Sequence, residues 1–259
     1  MSYAFDHQWK QERNRLARLE KGMDPGTIRH LEALGVAKGW RCLEIGAGGG
    51  SIAEWLCERV GSEGRVVATD LQTKFIEAID VPNIEVRQHD ITTDNLEQNA
   101  FDLVHARAVL EHLPARDEVL QRMIAALRPG GWLLLEAHDF LSLLPISQQG
   151  SELFTKASNA FLTVLNQNGL DPEYGRRIGL LLRHYGLTSV GVEGRMYEMG
   201  GDLPLTAVWS LVVQRLRQPM TEAGLLSSHE IDEAVELIEG SQFLSLSPTF
   251  IAGWGRKPK

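Results

Sequence analysis

The chain has little of what disulfide-bonded, metal-binding or membrane-spanning proteins need. Its 259 residues include only Cys42 and Cys57 as cysteines, with no C-x-x-C pair and no histidine pair at metal-ligand spacing. Both are predicted to be plain buried thiols, and no metal is expected. No apolar run approaches the about 18 residues of a transmembrane helix, and the N-terminus lacks a signal-peptide pattern. These absences predict a cytoplasmic protein with no membrane partner.

Basic charge is also scarce. Lysine and arginine total 26 residues against 34 aspartates and glutamates, which gives a formal net charge of -8. Proteins that bind nucleic acid cluster Lys and Arg along the phosphate backbone, so no nucleic-acid partner is expected. The length suits one large α/β domain with an insertion, and a small molecule is the expected partner. A homodimer through the terminal helices stays open.

One segment, RCLEIGAGGGSIAEWL, carries most of the functional information. Its apolar start predicts a strand, its glycines predict a sharp turn where a ligand can lie against bare backbone, and the apolar residues after Ser51 recur at helical spacing. Glu44, two residues before Gly46, places a carboxylate at the mouth of the turn. A carboxylate there suits an ammonium group better than a phosphate.

Four further segments predict strands of a parallel sheet, each next to a helix. They start at Arg65, Ile84, Phe101 and Leu127. Asp70 ends the second strand of the chain, where an acid can accept hydrogen bonds from both ribose hydroxyls. Asp90 is predicted to end the third strand, where it can meet an adenine amino group. A Pro-Gly-Gly turn is expected just before the fifth strand.

In order and spacing these segments resemble the class I S-adenosylmethionine-dependent methyltransferases, from about Pro25 to Phe140. The resemblance implies S-adenosylmethionine as cofactor, bound to a Rossmann-like, seven-stranded, mostly parallel α/β sheet with an antiparallel C-terminal strand and a helical cap insertion. It implies that Glu44 and the glycine turn bind the methionine end. The ribose then lies at Asp70, and Asp90 frames the adenine. The implied cofactor-binding residues are Glu44, Gly46, Ala47, Gly48, Ser51, Asp70, Leu71, Gln72, Asp90, Ile91, Ala106 and Arg107.

The predicted organisation has four parts. Residues 1–39 form an N-terminal helical lid, 40–140 the cofactor-binding core, 141–186 a helical cap, and 187–259 strands and helices that complete the core sheet. In the last part, the runs VGVEGRMYEMGG and FLSLSPTFIAGWGRKP are predicted to pair as strands, with helices over 205–217 and 228–239 between them.

The N-terminal part opens with an aromatic cluster, which either closes over the ligands or only anchors the terminus. Its members are Tyr3, Phe5, His7 and Trp9. A polar helix is predicted to end near Glu20, and a second helix to begin near Asp24, with Asp24 as its cap and Pro25 in its first turn.

Methyl transfer from a sulfonium is an in-line displacement, so the protein chiefly aligns the reacting atoms and, for some acceptors, removes a proton. The candidate bases follow the fourth and fifth strands: His138, Asp139 and His112, with His105 and Glu111 as further candidates. His138 ranks first because imidazole accepts a proton near neutral pH. For each of them a packing role is the competing interpretation. Arg107 either fixes an acidic substrate group or pairs with Glu111.

The predicted function is methyl transfer to oxygen or nitrogen of a small organic molecule, with carbon as a further alternative acceptor and secondary metabolites among the candidates. The Asn/Asp-Pro-Pro-Tyr signature of base-amino methyltransferases is replaced after the fourth strand by His105-Ala106-Arg107-Ala108. A pericyclase-like enzyme or a regulatory module that binds the cofactor without methyl transfer stays open. An NAD-dependent oxidoreductase would require glycine or alanine at Ser51 and gives Glu44 no role.

Overall fold

The computed structural model describes residues 10–259. Its α-helices are Glu12–Ala33 (α1), Ser51–Val60 (α2), Arg116–Ala126 (α3), Ser151–Gln167 (α4), Tyr174–His184 (α5), Pro204–Arg215 (α6), Arg217–Glu222 (α7) and Ser228–Glu239 (α8). Its strands are Arg41–Ile45 (β1), Arg65–Asp70 (β2), Ile84–Gln88 (β3), Phe101–Arg107 (β4), Leu127–Asp139 (β5), Leu144–Pro145 (β6), Thr188–Arg195 (β7), Glu198–Met199 (β8), Ser245–Leu246 (β9) and Thr249–Arg256 (β10).

The described chain divides into two compact units. The sheet unit contains Met23–Ala137, Tyr174–Gly194 and Ile251–Lys259, and the helical unit contains 10–22, His138–Glu173 and Arg195–Phe250. The chain passes from one unit to the other within α1, β5, β7 and β10, and just before α5. The four-part functional division of the sequence stays a prediction.

The seven strands of the large sheet run in the order β3-β2-β1-β4-β5-β10-β7, and the sheet is mostly parallel with one antiparallel strand. This confirms the predicted fold class. Since β1 pairs with β2 on one side and β4 on the other, the strand order reverses at β1. In open parallel sheets, the carboxyl ends of the strands at such a reversal form a ligand-binding crevice. The glycine turn leaves β1 at that point.

Apolar residues cover both faces of the large sheet, as a parallel sheet requires. One face packs with α3 and α5 around fully buried Val104, Leu135 and Tyr174. The other packs with α1 and α2 around Leu31 and Leu56. Both cysteines, Cys42 and Cys57, are buried free thiols, as predicted. Burial raises the pKa of Cys57 to about 11, so this thiol stays protonated at neutral pH.

The helical unit has its own core. A small antiparallel sheet in the order β6-β9-β8 lies beside four helices, of which α8 packs against α4 and α6. Phe154 stacks on Trp209 at a ring distance of 5.2 Å and meets Phe243 at 5.2 Å. The aromatic spacing of α4 therefore serves the packing of this unit.

The N-terminal helix differs from its prediction. Instead of two helices, α1 runs without a break from Glu12 to Ala33 with Pro25 inside it. Proline removes one backbone hydrogen bond from the helix. Tertiary contacts stabilise the helix on both sides of Pro25, because Asp24 pairs with Arg107 and Thr27 donates to Glu136. Asp24 is therefore an ion-pair partner and not a helix cap. The predicted aromatic cluster at residues 3–9 lies outside the described residues.

The predicted alternation of strand and helix is wrong at two places. Only the short 3-10 turn Ile76–Ala78 follows β2, and in the described chain no helix lies between β3 and β4. The third strand ends at Gln88, two residues before Asp90. The Pro-Gly-Gly segment lies inside β5, where the register with β4 shifts, and does not form a separate turn.

The two C-terminal runs each contribute to two sheets. β7 and β10 are neighbours in the large sheet, as predicted, whereas β8 and β9 pair in the small one. Across residues 10–259, no helix is both long enough and apolar enough to cross a bilayer. The same residues hold no group of three or more His, Cys, Asp or Glu side chains placed to bind a metal ion.

Candidate functional site

The glycine turn after β1 is fixed to the end of β2 by backbone hydrogen bonds. The N–H groups of Gly46 and Ala47 both donate to the carbonyl of Thr69, at 2.8 and 3.0 Å. Gly46 has φ +67°, and a Cβ there would lie 2.4 Å from Cγ2 of Val109. Gly48 and Gly50 also have positive φ, at +57° and +96°. A positive φ favours glycine at these three positions, and the N–H groups of Gly46, Ala47, Gly48 and Gly50 all donate within the protein.

Asp70 joins the turn to the end of β2. Its Oδ2 accepts the N–H of Gly48 at 2.9 Å, and its Oδ1 accepts the N–H of Gln72 at 3.0 Å. A carboxylate has about four lone-pair sites, so each oxygen can accept a further bond. The carboxylate is thus held in one orientation and can receive two more donors on neighbouring atoms.

Asp90 lies beyond the end of β3. Its Oδ1 accepts from both the N–H and the Oγ1 of Thr92, at 2.9 and 2.6 Å, and its backbone N–H donates to Asp94. The next side chain, Ile91, is buried. This loop therefore presents a fixed carboxylate beside an apolar side chain.

Three titratable side chains meet inside the sheet below the turn. Glu44 on β1 stands opposite His105 on β4 in the strand register, and Glu44 Oε2 lies 2.6 Å from His105 Nδ1. The other ring nitrogen, Nε2, lies 3.3 Å from Oε2 of Glu136 on β5. Glu44 is 3% exposed, and His105 and Glu136 are fully buried. Two buried carboxylates therefore share one imidazole.

The cluster continues to α1 through hydroxyl and guanidinium groups. Thr27 Oγ1 donates to Glu136 Oε2 at 2.6 Å, and Arg107 Nη1 donates to the same hydroxyl at 3.1 Å. Arg107 also pairs with Asp24 at 2.8 Å. The two α1 residues are thus joined to the ends of β4 and β5. Of the two roles predicted for Arg107, pairing with Glu111 is wrong, because Arg107 pairs with Asp24.

The charges of this cluster stabilise one another. Burial alone would lower the pKa of His105, but the charge of Glu44 and the hydrogen bonds to Glu136 and Glu44 raise it to about 9. Burial would raise the pKa of Glu136, yet the hydrogen bond and charge of His105, with smaller contributions from Arg107 and Thr27, lower it. At neutral pH His105 is therefore an imidazolium between two carboxylates.

The segment after β4 is strained and close-packed. Ala108 has φ +54°, which is unfavourable for a residue with a side chain, and its N–H donates to the carbonyl of Glu136 at 2.8 Å. Ala106 is fully buried, whereas His112 ends a short 3-10 turn and is half-buried. Of the candidate bases after the fourth strand, His105 lies inside β4 and not beyond it.

The remaining candidate bases, His138 and Asp139, belong to the helical unit. They are the last two residues of β5. The His138 ring stacks on Phe140 at 4.8 Å and meets Phe250 at 4.9 Å with a tilt of 54°. Asp139 is buried, and its carbonyl accepts from Ser142 at 2.6 Å. The imidazole of His138 is thus held between two aromatic rings.

The structure places all twelve predicted cofactor residues in the sheet unit. Glu44 lies within β1, and the others lie around the turn after β1 or at the carboxyl ends of β2, β3 and β4. Sequence reasoning missed Glu136 and Thr27 and the role of His105 as their link. A signal was present, because a charged residue inside an otherwise apolar strand, such as His105 in FDLVHAR, needs a buried partner.

A parallel sheet whose strand order reverses at a glycine turn, with a fixed acid at the end of the next strand, defines a Rossmann-like ligand-binding domain. Within it, residues 43–135 match the model of a methyltransferase domain. This match covers about a third of the chain and supports the class I S-adenosylmethionine-dependent methyltransferases as the family that the domain resembles.

Individual relatives have the same enzyme class in their names. Methyltransferase str3 of Strobilurus tenacellus is 31% identical over 159 residues, 59% of this chain and 55% of that protein. The ubiquinone biosynthesis O-methyltransferase of Paracidovorax citrulli is 24% identical over 195 residues, 64% of this chain and 80% of that protein. The chain therefore spans about half the length of the first of these relatives.

Among solved structures, the phosphoethanolamine N-methyltransferase 2 of Haemonchus contortus, in complex with S-adenosyl-L-methionine, superposes with a TM-score of 0.54. The match covers 97% of this chain and 53% of that chain at 19% identity. At this identity the likeness establishes the fold alone.

Proposed function

We propose that this protein transfers a methyl group from S-adenosylmethionine to an oxygen or nitrogen atom of a small organic molecule. The observation that carries the proposal is Asp70, which is fixed by the N–H groups of Gly48 and Gln72 at the reversal of strand order. Because each of its oxygens can accept one more hydrogen bond, the carboxylate matches two neighbouring ribose hydroxyls.

The other residues around the turn suit the rest of the cofactor. Glu44 offers a carboxylate to the ammonium of the methionine part, and the glycine turn lets the ligand lie close to the backbone. Asp90 accepts the adenine amino group beside the apolar side chain of Ile91. Ser51, Leu71, Gln72, Ala106 and Arg107 complete the proposed contacts. When bound, S-adenosylmethionine supplies an activated methyl group.

The protein's part in the chemistry is alignment and, for some acceptors, proton removal. His138 is the proposed base, since its imidazole is held in place by Phe140 and Phe250 at the end of β5. Asp139 and His112 are the alternatives. No residue needs to form a covalent intermediate, because the sulfonium is already a good leaving group.

Two observations support a small organic acceptor. The net charge of -8 disfavours a nucleic-acid phosphate backbone as binding partner. The relative from Paracidovorax citrulli is named for an O-methylation in ubiquinone biosynthesis, whose substrates are small molecules. A cytoplasmic location and a homodimer stay predictions from the sequence.

The test is to incubate purified protein with methyl-labelled S-adenosylmethionine and a cell extract, and then to separate metabolites from RNA, DNA and protein. Label in the metabolite fraction, reduced with the Asp70→Ala variant when the cofactor is below its Kd for that variant, is the expected result and supplies the acceptor for identification. Label in macromolecules would overturn the substrate class. Cofactor binding without label in any fraction would speak against methyl transfer.

A further inference from the structure

A continuous line of buried polar contacts connects helix α1 with the carboxylate of Glu44. It runs from Thr27 to Glu136, from Glu136 to His105, and from His105 to Glu44, at 2.6, 3.3 and 2.6 Å. All four side chains are buried. Glu44 is the one member that also borders the glycine turn.

The contact between His105 and Glu44 fixes the orientation of the Glu44 side chain. Among the described residues, the hydrogen bonds to this side chain use only Oε2, so Oε1 is left for another donor. A buried glutamate without a partner would rotate toward one, because an unpaired buried polar group is costly. His105 therefore determines where Oε1 lies.

We propose that His105 is a positioning residue for the cofactor: through Nδ1 it holds Glu44 in the orientation that receives the ammonium group, while Nε2 connects it to Glu136 and α1. This inference rests on the proposed function. The charged groups around the imidazole are Glu44 on β1, Glu136 on β5, and Arg107 with its partner Asp24. Of these, Glu44 is the carboxylate on the strand that leads directly into the glycine turn.

Two variants with an amide side chain test the roles of the two ring nitrogens separately. The amide nitrogen of asparagine lies about as far along the side chain as Nδ1, and that of glutamine about as far as Nε2. His105→Asn therefore keeps a donor for Glu44, and His105→Gln keeps one for Glu136. Both variants remove the imidazolium charge and one buried hydrogen bond. We therefore expect similar losses of stability, and each variant serves as the control for the other.

The measurement is the Kd of S-adenosylhomocysteine by calorimetry, with the Tm of each variant alongside. His105→Gln is expected to weaken binding about tenfold or more and His105→Asn about threefold or less, at similar losses of Tm. In turnover with S-adenosylmethionine, His105→Gln should raise KM more than it lowers kcat. Equal Kd values for the two variants, or Kd values that follow the Tm loss, would overturn the role of Nδ1.

A measurement on the wild-type protein covers the case in which neither variant folds. With ¹⁵N-labelled histidine, the His105 ring should show both N–H groups at neutral pH, and saturation with S-adenosylhomocysteine should shift Nδ1 more than Nε2. An unchanged Nδ1 resonance at saturation contradicts the inference. If the wild-type protein binds neither S-adenosylmethionine nor S-adenosylhomocysteine, the proposed function itself is wrong. If the wild type binds normally and the two variants have equal Kd values, only the role of His105 is wrong.

Discussion

At the scale of single residues, the site depends on side chains with two tasks. Asp70 accepts two backbone N–H groups that shape the glycine turn, and the same carboxylate is proposed to bind the ribose. His138 is packed between aromatic rings and is proposed to move a proton. Substitutions at such residues change structure and function together, so each test needs a variant that changes only one of them.

Asp70→Ala is expected to weaken S-adenosylhomocysteine binding by about 1–2 kcal/mol, the scale of a lost pair of charge-assisted hydrogen bonds. Calorimetric Kd values measure the loss. Asp80→Ala is the control, because Asp80 is an exposed acid ten residues further along the chain. The ribose assignment is wrong if Asp70→Ala binds as tightly as the control.

His138→Ala is expected to lower kcat about 100-fold, the lower range for loss of a general base, with little change in cofactor affinity. The measurement is turnover with the acceptor found by labelling. Phe140→Leu serves as control, since it removes the stacked ring and keeps the imidazole. Wild-type turnover in His138→Ala would exclude His138 as base, and an equal loss in Phe140→Leu would indicate packing instead.

At the scale of elements, the buried cluster ties three strands to α1. Its stability should depend on pH, because the folded pKa of His105 is raised to about 9. The unfolded pKa is about 6.5, so this contribution is complete below pH 6.5 and is lost as the pH rises through 9. The pKa of Glu136 is lowered on folding, so this carboxylate stabilises the folded protein above its unfolded pKa of about 4.5, and that stabilisation is lost as the pH falls below this value.

Denaturant unfolding of wild type and His105→Asn measures this dependence. The difference in free energy of unfolding is expected to be largest below pH 6.5 and to shrink by roughly 3 kcal/mol by pH 9.5, because folding raises the pKa of His105 from 6.5 to about 9. A difference that stays constant across this range would show that His105 is not charged in the folded protein.

The elements also show where sequence reasoning succeeds. The strands around the glycine turn follow from local patterns, since apolar runs and turn residues determine them within a few positions. The partners of His105, Glu44 and Glu136, lie 61 and 31 residues away along the chain, so local sequence patterns do not show that these side chains meet. Pro25 was assigned to a helix start by a local rule, but contacts of Asp24 and Thr27 with the sheet unit keep α1 continuous.

At the scale of the whole molecule, the proposed cofactor residues and the proposed base fall in different units. All residues proposed to bind S-adenosylmethionine belong to the sheet unit, whereas His138 and Asp139 belong to the helical unit. A ligand that contacts only the first unit should therefore leave a distinguishable pattern of protection along the chain.

Hydrogen exchange with and without S-adenosylhomocysteine tests this division. At about 100 times Kd, binding adds about 2.7 kcal/mol of stability to the liganded state. Amides of 46–51, 70–72 and 90–91 are expected to gain the largest protection, because they lie at the proposed contacts, and amides of α4 and α8 to gain less. The Asp70→Ala variant at the same ligand concentration should lose about 1–2 kcal/mol of this gain, in line with its weaker binding. Protection confined to α4 and α8 would mean that the ligand binds the helical unit and that the glycine turn is not its site.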